Sequence, residues 1–120
     1  GPKKQKKSIK LLGTGRAKRE LIFVDDIADA VVYFMNKKTK KNLINIGTGN
    51  EYSIEKYAKF IIKTLGLKLK IKFDRSFPDG TPRKVLDVSL ARKYGWVAKT
   101  DLKTGFEKTY QDFIKNKLFK

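Results

Sequence analysis

The hydrophobic period changes between residues 54 and 73, and this change constrains the fold more than any other feature of the sequence. Apolar side chains first recur three or four residues apart, which predicts an amphipathic helix. They then alternate with lysines, which predicts a strand with one buried face. The chain is therefore expected to be a mixed α/β protein of short strands and about four helices. The helical set is Ile54, Tyr57, Ala58, Ile61, Ile62 and Leu65, and the alternating set is Leu67, Leu69, Ile71 and Phe73.

Two other strand-like runs each end at a Gly-Thr-Gly turn. Residues 8–12 are predicted to form a strand that stops at residues 13–15, and residues 43–46 a strand that stops at residues 47–49. Residues 20–24 form a further extended apolar run.

A helix is predicted to follow that run. Asp25 or Asp26 is expected to be its N-cap, because a carboxylate accepts hydrogen bonds from the free amides of the first turn. The spacing puts Asp29 and Tyr33 on the polar face. The buried stripe is predicted to consist of Ile27, Ala30, Val31, Phe34 and Met35.

The remaining helices have recognisable ends. Ser53 is expected to cap the helix that Gly66 closes, since glycine readily adopts the left-handed conformation found there. A short helix is predicted over residues 89–94, closed by Gly95, and a last one over residues 101–117. The inner face of the last helix is predicted to carry Leu102, Phe106, Tyr110 and Phe113.

The first seven residues differ from the rest of the chain. Gly1-Pro2, without an initiating Met, is typical of a protease scar or an excised fragment, and lysines dominate residues 3–7. We therefore expect residues 1–7 to be a tag remnant or flexible lead-in and residues 8–120 to form one domain.

Missing residue types exclude several kinds of chemistry. The chain contains neither Cys nor His, which excludes disulfides, thiolate or imidazole metal sites and histidine-based triads. No apolar run approaches the roughly 20 residues that a membrane span needs. These absences suit a cytoplasmic protein without a membrane partner.

The formal net charge of +17 allows two interpretations. It predicts attraction to polyanions, including nucleic acid. However, the basic residues are 24 Lys and only 5 Arg, whereas phosphate recognition favours the Arg fork. The lysines are also spread along the sequence, which favours solvated surface lysine over a nucleic-acid-binding module.

Two short motifs are weak indicators of catalysis or nucleotide binding. Neither Gly-Thr-Gly turn extends to a dinucleotide or P-loop motif, which favours a simple turn. The Tyr-x-x-x-Lys spacing of short-chain dehydrogenases occurs at Tyr33 with Lys37 and at Tyr52 with Lys56. In a chain this rich in lysine, both matches are expected by chance. No residue of this chain is predicted to be catalytic, to bind a cofactor or to hold a metal.

Arg19 stands at the start of an extended apolar run beside Glu20. A partly buried guanidinium needs an anionic partner. That partner is either an internal carboxylate such as Glu20 or the phosphate of a ligand, and local chemistry does not decide between them.

The segment of residues 74–84 is the strongest candidate for a binding site. Pro78, Gly80 and Pro82 exclude regular helix or central strand there and restrain the loop before a ligand arrives. Asp79, Arg83 and Lys84 present both signs of charge, which suits a ligand with hydroxyls and phosphates. The alternative is a structural loop with an internal salt bridge.

Three stretches resemble a known family. Residues 19–30 and residues 45–54 are similar to landmarks of extended short-chain dehydrogenase/reductases. The run Pro-Asp-Gly-Thr-Pro-Arg-Lys at residues 78–84, followed by Leu-Asp-Val at 86–88 and Gly-Trp at 95–96, is similar to GDP-L-fucose synthases. The resemblance identifies residues 8–120 as the C-terminal substrate-binding region of such an enzyme.

The resemblance implies what the complete enzyme would do. It would use NADP(H), bound by an N-terminal Rossmann half, to epimerise and reduce GDP-4-keto-6-deoxymannose to GDP-L-fucose, and it would be a homodimer. The catalytic residues would lie in that other half, so the fragment is expected to be inactive. Another nucleotide-sugar epimerase or dehydratase is the alternative within the superfamily.

The resemblance also implies which residues contact the GDP-sugar. Arg19 and Asp79 match substrate contacts of the family, Lys84 matches a lysine near the diphosphate, and Arg83 shares the same motif. Leu12 occupies the position at which the family commonly has an aromatic side chain against the guanine. An aliphatic side chain covers a base without the stacking energy, which is on the order of 1 kcal/mol.

Overall fold

The computed structural model describes residues 7–40 and 43–116, which form two compact units. In the described part of the chain, the first unit comprises residues 7–19 and 51–85, and the second comprises residues 20–40, 43–50 and 86–116. Residues 1–6 of the predicted lead-in lie outside the described residues.

The elements confirm a mixed α/β fold with four helices and short strands in the described residues. The strands are β1 (Lys7–Leu12), β2 (Lys18–Arg19), β3 (Tyr52–Ser53), β4 (Leu69–Asp74) and β5 (Arg83–Lys84). The helices are α1 (Val24–Met35), α2 (Ile54–Thr64), α3 (Ser89–Lys93) and α4 (Leu102–Lys115).

The first unit contains all five strands and α2. β1 pairs in parallel with β4, with Ile9 opposite Ile71 and Leu11 opposite Phe73, so the apolar residues of both strands share one half-buried face. The exposed lysines, such as Lys10, share the other face. The alternating pattern predicted β4 correctly from Leu69 onward, whereas Leu67 lies before the strand and is exposed.

A second, three-stranded sheet has the order β3-β2-β5, with β2 antiparallel to β3 and parallel to β5. The helix α2 follows β3 directly, and the Ser53 hydroxyl accepts a hydrogen bond from Lys56 N, as an N-cap does. Gly66 follows the helix with φ +64°, which confirms the predicted left-handed cap.

The core of the second unit consists of Ala30, Ala91 and Trp96. The residues packed against this core show that the predicted inner face of α1 was wrong in part. Tyr33 and Phe34 pack against this core, whereas Ile27, Val31 and Met35 are exposed. Tyr33 faces the core, and its hydroxyl donates a hydrogen bond to Tyr94 O. The predicted polar residue Asp29 accepts a hydrogen bond from Trp96 Nε1 at 3.0 Å.

Two other expectations for this unit were wrong. The helix α1 begins at Val24 with Phe23 as its N-cap, and no side chain caps it, so Asp25 and Asp26 lie within its first turn. Residues 43–46 form no strand in the described structure. No described strand lies alongside them to supply a hydrogen-bonded ladder, although Ile44 and Ile46 pack against the core.

The two C-terminal helices lie where the sequence pattern predicted them, but Phe113, which was predicted on the inner face of the last one, is exposed. The short helix α3 is followed by Gly95 at φ +92°. Asp101 is the N-cap of α4, and its carboxylate accepts a hydrogen bond from Thr104 N at 2.8 Å. Phe106 and Tyr110 stack on α4, with ring centroids 6.2 Å apart. Among the described residues, no helix is long and apolar enough to cross a membrane.

Candidate functional site

The loop of residues 74–84 lies in the first unit and is fixed at its beginning by Asp74. One oxygen of this carboxylate accepts hydrogen bonds from Ser76 N at 3.0 Å and from the Ser76 hydroxyl, and the other lies 3.2 Å from Lys10 Nζ. The hydrogen bonds from Ser76, followed by the interaction with Lys10, lower the pKa of Asp74. The ionised carboxylate therefore holds the turn from β4 into the loop.

The middle of the loop is tied to the first Gly-Thr-Gly turn. The two oxygens of Asp79 accept hydrogen bonds from Thr14, one from its backbone N at 2.8 Å and the other from its hydroxyl at 2.5 Å. The hydrogen bonds from Thr14 lower the pKa of Asp79, and the charge of Arg16 adds to the effect. Asp79 is thus ionised and already oriented in the ligand-free protein.

Arg19 joins the far side of the loop to the three-stranded sheet. Its Nη1 donates hydrogen bonds to Thr81 O at 2.6 Å and to Lys18 O at 2.7 Å. A methyl group built on Gly80 would lie 3.1 Å from Arg19 Nη2, so the guanidinium occupies the space that a side chain at Gly80 would need. Arg19 therefore has carbonyl oxygens as partners.

The alternative partner, Glu20, has a different role. Its Oε2 accepts a hydrogen bond from Gly49 N at 3.0 Å in the second unit, and a methyl group on Gly47 would collide with its other oxygen. Each Gly-Thr-Gly turn is therefore closed by a carboxylate, Asp79 at the first and Glu20 at the second. This arrangement agrees with the interpretation of both as structural turns.

The strand register separates the predicted basic residues into two pairs. Arg19 lies opposite Lys84, and Lys18 lies opposite Arg83. Because successive side chains of a strand point to opposite faces, Arg19 and Lys84 share one side of the sheet, and Arg83 lies on the other. The structure therefore brings Arg19 and Lys84 together but does not bring Arg83 to them.

Arg83 is engaged by an acidic partner that the sequence analysis missed. Its Nε and Nη2 bind the two carboxylate oxygens of Glu51, at 3.0 and 2.5 Å. The hydrogen bond from Arg83 is the main cause that lowers the pKa of Glu51. This fork-to-fork ion pair links β5 to the residue before β3, on the other side of β2. The sequence gives no local signal for it, since 32 residues separate the two partners.

Leu12 ends β1 and is exposed, with 59% of its surface accessible. It precedes Gly13, whose amide donates a hydrogen bond to Asp74 O at 2.8 Å. An exposed aliphatic side chain at the foot of the loop is able to cover a flat apolar group but provides no aromatic face.

The Tyr-x-x-x-Lys matches form cation–π contacts. Lys37 Nζ lies 5.7 Å from the centroid of the Tyr33 ring, and Lys56 Nζ lies 4.6 Å from that of Tyr52. These lysines contact the ring, and the Tyr33 hydroxyl is used in a hydrogen bond to Tyr94 O. Within the described ranges, no group of three or more acidic side chains is placed to hold a metal ion.

The charge of the chain is concentrated in the unit that contains the loop. The described residues of the first unit include 14 Lys and Arg against 4 Asp and Glu, a formal net charge of +10. Those of the second unit include 9 basic and 8 acidic residues, a net charge of +1. The described lysines are divided almost evenly, 10 in the first unit and 8 in the second, so the difference in net charge comes mainly from the arginines and the acidic residues. An anionic ligand would be attracted to the first unit.

Comparisons with known proteins agree with these features. Residues 3–47 match the model of the NAD dependent epimerase/dehydratase family. The chain is 39% identical to the probable GDP-L-fucose synthase 1 of Oryza sativa subsp. japonica over 104 residues, which cover 87% of this chain and 32% of the rice protein. It is 40% identical to the GDP-L-colitose synthase of Yersinia pseudotuberculosis over 113 residues, covering 93% of this chain and 37% of that protein.

A solved structure gives the same result. The GDP-mannoheptose C4 reductase from Campylobacter jejuni, with NADP bound, superposes with a TM-score of 0.75 at 35% identity, over 88% of this chain and 34% of the reductase. This chain thus spans about a third of the length of the proteins it matches. It is similar to the NAD dependent epimerase/dehydratase family over residues 3–47, and to GDP-L-fucose and GDP-L-colitose synthases over most of its own length.

Proposed function

We propose that this chain is the C-terminal substrate-binding region of a GDP-L-fucose synthase-like enzyme. The observation that carries the proposal is the register of β2 and β5, which sets Arg19 beside Lys84 at the loop fixed by Asp79. Two adjacent cations on one side of a sheet fit the diphosphate of a GDP-sugar.

Each predicted contact has a distinct chemical role in this proposal. Arg19 and Lys84 bind the diphosphate. Asp79 accepts a hydrogen bond from a sugar or ribose hydroxyl, because each carboxylate oxygen keeps a lone pair beyond the one given to Thr14. Leu12 covers the base without stacking on it. Arg83 supports the loop through Glu51 and binds the substrate only indirectly.

The complete enzyme is proposed to convert GDP-4-keto-6-deoxymannose to GDP-L-fucose with NADP(H). The described residues do not fit a dinucleotide site, since Asp79 and Glu20 close the two Gly-Thr-Gly turns. The hydride donor and the catalytic residues are therefore assigned to an N-terminal Rossmann half, and this chain alone is expected to be inactive. The complete enzyme is proposed to be a cytoplasmic homodimer.

The outward face of α1 is proposed as the surface on which that half binds. Val24, Val31 and Met35 are 65%, 56% and 78% exposed, and Ile27 lies on the same side. An apolar row of this length on a helix is typical of an interface. The greater length of the relatives supports a further domain as its occupant.

Binding of GDP tests the assignment of the site. Titration of the isotopically labelled chain with GDP should shift the amide signals of Arg19, residues 79–81 and Lys84. Arg19→Ala and Lys84→Ala should each weaken binding about tenfold or more, since hydrogen bonds to charged groups contribute about 1.5–3 kcal/mol. Lys68→Ala removes an exposed lysine of the same unit and should leave the affinity within about twofold. Equal losses in all three variants would reject the site.

The same titration distinguishes the alternatives. A nucleic-acid-binding module would bind duplex or single-stranded DNA more tightly than GDP, with a steep salt dependence. Another nucleotide-sugar enzyme would prefer a different base, and equal affinity for GDP and UDP would show that Leu12 does not select guanine. The colitose and mannoheptose enzymes among the relatives make a different GDP-sugar the second candidate substrate.

A further inference from the structure

Thr14 stands at the centre of a short chain of hydrogen bonds. Arg16 N donates to the Thr14 hydroxyl at 3.2 Å, and the hydroxyl donates to Asp79 Oδ2. Thr14 N donates to Asp79 Oδ1 at 2.8 Å. Since the Arg16 amide occupies an acceptor position of the hydroxyl, the hydroxyl proton points to the carboxylate. Both atoms of Thr14 that can donate are therefore used on one side chain, 65 residues away.

Thr14 lies between two glycines, Gly13 and Gly15, that have close neighbours. Gly13 and Gly15 both have positive φ, at +89° and +77°. A methyl group on Gly13 would collide with the Asp79 carboxylate, and one on Gly15 would collide with the Phe73 ring. The turn is thus pressed between the loop and β4, which fixes the positions of the two donors of Thr14.

The loop transmits this constraint to Arg19. Asp79 is two residues from Thr81, whose carbonyl accepts the hydrogen bond from Arg19 Nη1. Gly80, between them, lies against Arg19 Nη2. A displacement of Asp79 therefore moves the acceptor that holds the guanidinium, and Lys84 follows three residues later on β5.

We propose that Thr14 is a positioning residue: through Asp79 and Thr81 it fixes the guanidinium of Arg19 in the orientation that receives the diphosphate of the ligand. The effect on the ligand rests on the proposed function, whereas the effect on Asp79 and Arg19 does not. The Thr14 hydroxyl is the essential group. A valine at this position has the same shape and keeps the backbone amide donor, but it lacks the hydroxyl donor.

The variants Thr14→Val and Thr14→Ser test this role in the ligand-free chain first. Carbon NMR of the carboxyl groups should show that Thr14→Val raises the pKa of Asp79 towards the ordinary value of 3.8, and that Thr14→Ser restores the wild-type pKa. The signals of the Arg19 Nη1 protons, which are donated to Thr81 O and Lys18 O, should lose their dispersion and protection in the valine variant and recover them in the serine variant.

Neighbouring charges serve as internal references. The basic side chains on the adjoining elements are Arg16 on the turn, Arg19 on β2 and Lys84 on β5. Asp74, at the start of the loop, titrates in the same range through its own partners Ser76 and Lys10, and its pKa should not respond to Thr14→Val. A change in Asp74 equal to that in Asp79 would indicate general loosening and would overturn the proposal.

GDP affinity is the second readout. Thr14→Val should weaken GDP binding about tenfold and Thr14→Ser less than about twofold, since the lost hydrogen bond is to a charged group. A valine variant that binds GDP as tightly as wild type would overturn the positioning of the ligand. If wild-type chain does not bind GDP at all, the proposed function fails, and the Asp79 and Arg19 signals alone decide whether Thr14 positions the loop.

Discussion

Asp26 accepts two hydrogen bonds from Thr100, one from the backbone N at 3.0 Å and one from the hydroxyl at 3.1 Å. The two residues are 74 positions apart in the chain, and only 5% of the Asp26 surface is accessible. The contact ties the first turn of α1 to the segment that leads into α4. A buried carboxylate whose two oxygens are both satisfied stabilises this packing.

Asp26→Ala should lower the free energy of unfolding by about 1–3 kcal/mol, because it leaves the Thr100 amide without its acceptor. Urea denaturation followed by circular dichroism measures the change. Asp25→Ala is the matched control: Asp25 is exposed in the same helical turn and contributes only its favourable interaction with the helix dipole, about 0.3–1 kcal/mol. Equal destabilisation by both variants would show that Asp26 acts only through the dipole.

Gly15→Ala should destabilise the first unit more than Gly66→Ala. Both glycines have positive φ, at +77° and +64°, which costs a residue with a Cβ about 1–2 kcal/mol. Gly15 also faces the Phe73 ring, whereas nothing lies within 4 Å of a methyl group on Gly66. Denaturation of the two variants separates steric overlap from backbone strain, and a larger loss at Gly66 would contradict the packing described around Thr14.

The free energy of unfolding should fall as the pH is lowered through and below the ordinary pKa values of the carboxyl groups. The folded state lowers the pKa of several carboxyl groups from ordinary values of 3.8 for Asp and 4.5 for Glu. A group whose pKa is lower in the folded state stabilises it above the ordinary pKa and loses this contribution as the pH falls through the lowered value. The groups are Glu51, Asp74, Asp79, Asp87 and Asp101.

The Asp101 cap of α4 provides the sharpest test of this pH dependence. Its pKa is lowered chiefly by hydrogen bonds from Thr104. Near neutral pH, Asp101→Ala should lower the free energy of unfolding, as the loss of an N-cap does. Well below pH 3.8 the difference from wild type should shrink, because the wild-type cap is then protonated. A pH-independent difference would contradict the stabilising role of the charge.

The chain should self-associate through the outward face of α1 when no other domain covers it. Met35→Lys and Val31→Lys should each lower the sedimentation-average mass at high protein concentration, because they place a charge in the exposed apolar row. Val97→Lys changes an exposed valine outside that helix, 52% accessible, and should have little effect. Equal effects of all three changes would indicate nonspecific association.

Local patterns predicted the elements whose structure depends on near neighbours. The change of hydrophobic period identified α2 and β4, and Ser53, Gly66 and Asp101 were correctly assigned to helix ends. Capping and periodicity act over three or four residues, so the sequence contains their cause. At the candidate site, the restrained loop was also predictable, because Pro78, Gly80 and Pro82 limit its backbone by themselves.

The expectations that were wrong depended on distant residues. Asp25 or Asp26 was expected to be a cap, but Asp26 is buried and accepts its hydrogen bonds from the distant Thr100. The buried face of α1 differs from the prediction because Tyr33 and Phe34 pack against the core that Ala91 and Trp96 form with Ala30. Residues 43–46 lack a described neighbouring strand, and a strand requires one.

The sequence by itself determined the mixed α/β class, the stiff loop of residues 74–84 and the resemblance to the GDP-L-fucose synthases, because each of these depends on residue types at short spacing. Three contacts became visible in the fold alone: Arg19 lies beside Lys84, Glu51 binds Arg83, and Thr14 donates hydrogen bonds to Asp79. Strand register and long-range hydrogen bonds depend on how separate segments pack. The residues that could bind a ligand were therefore visible in the sequence, but their pairing was not.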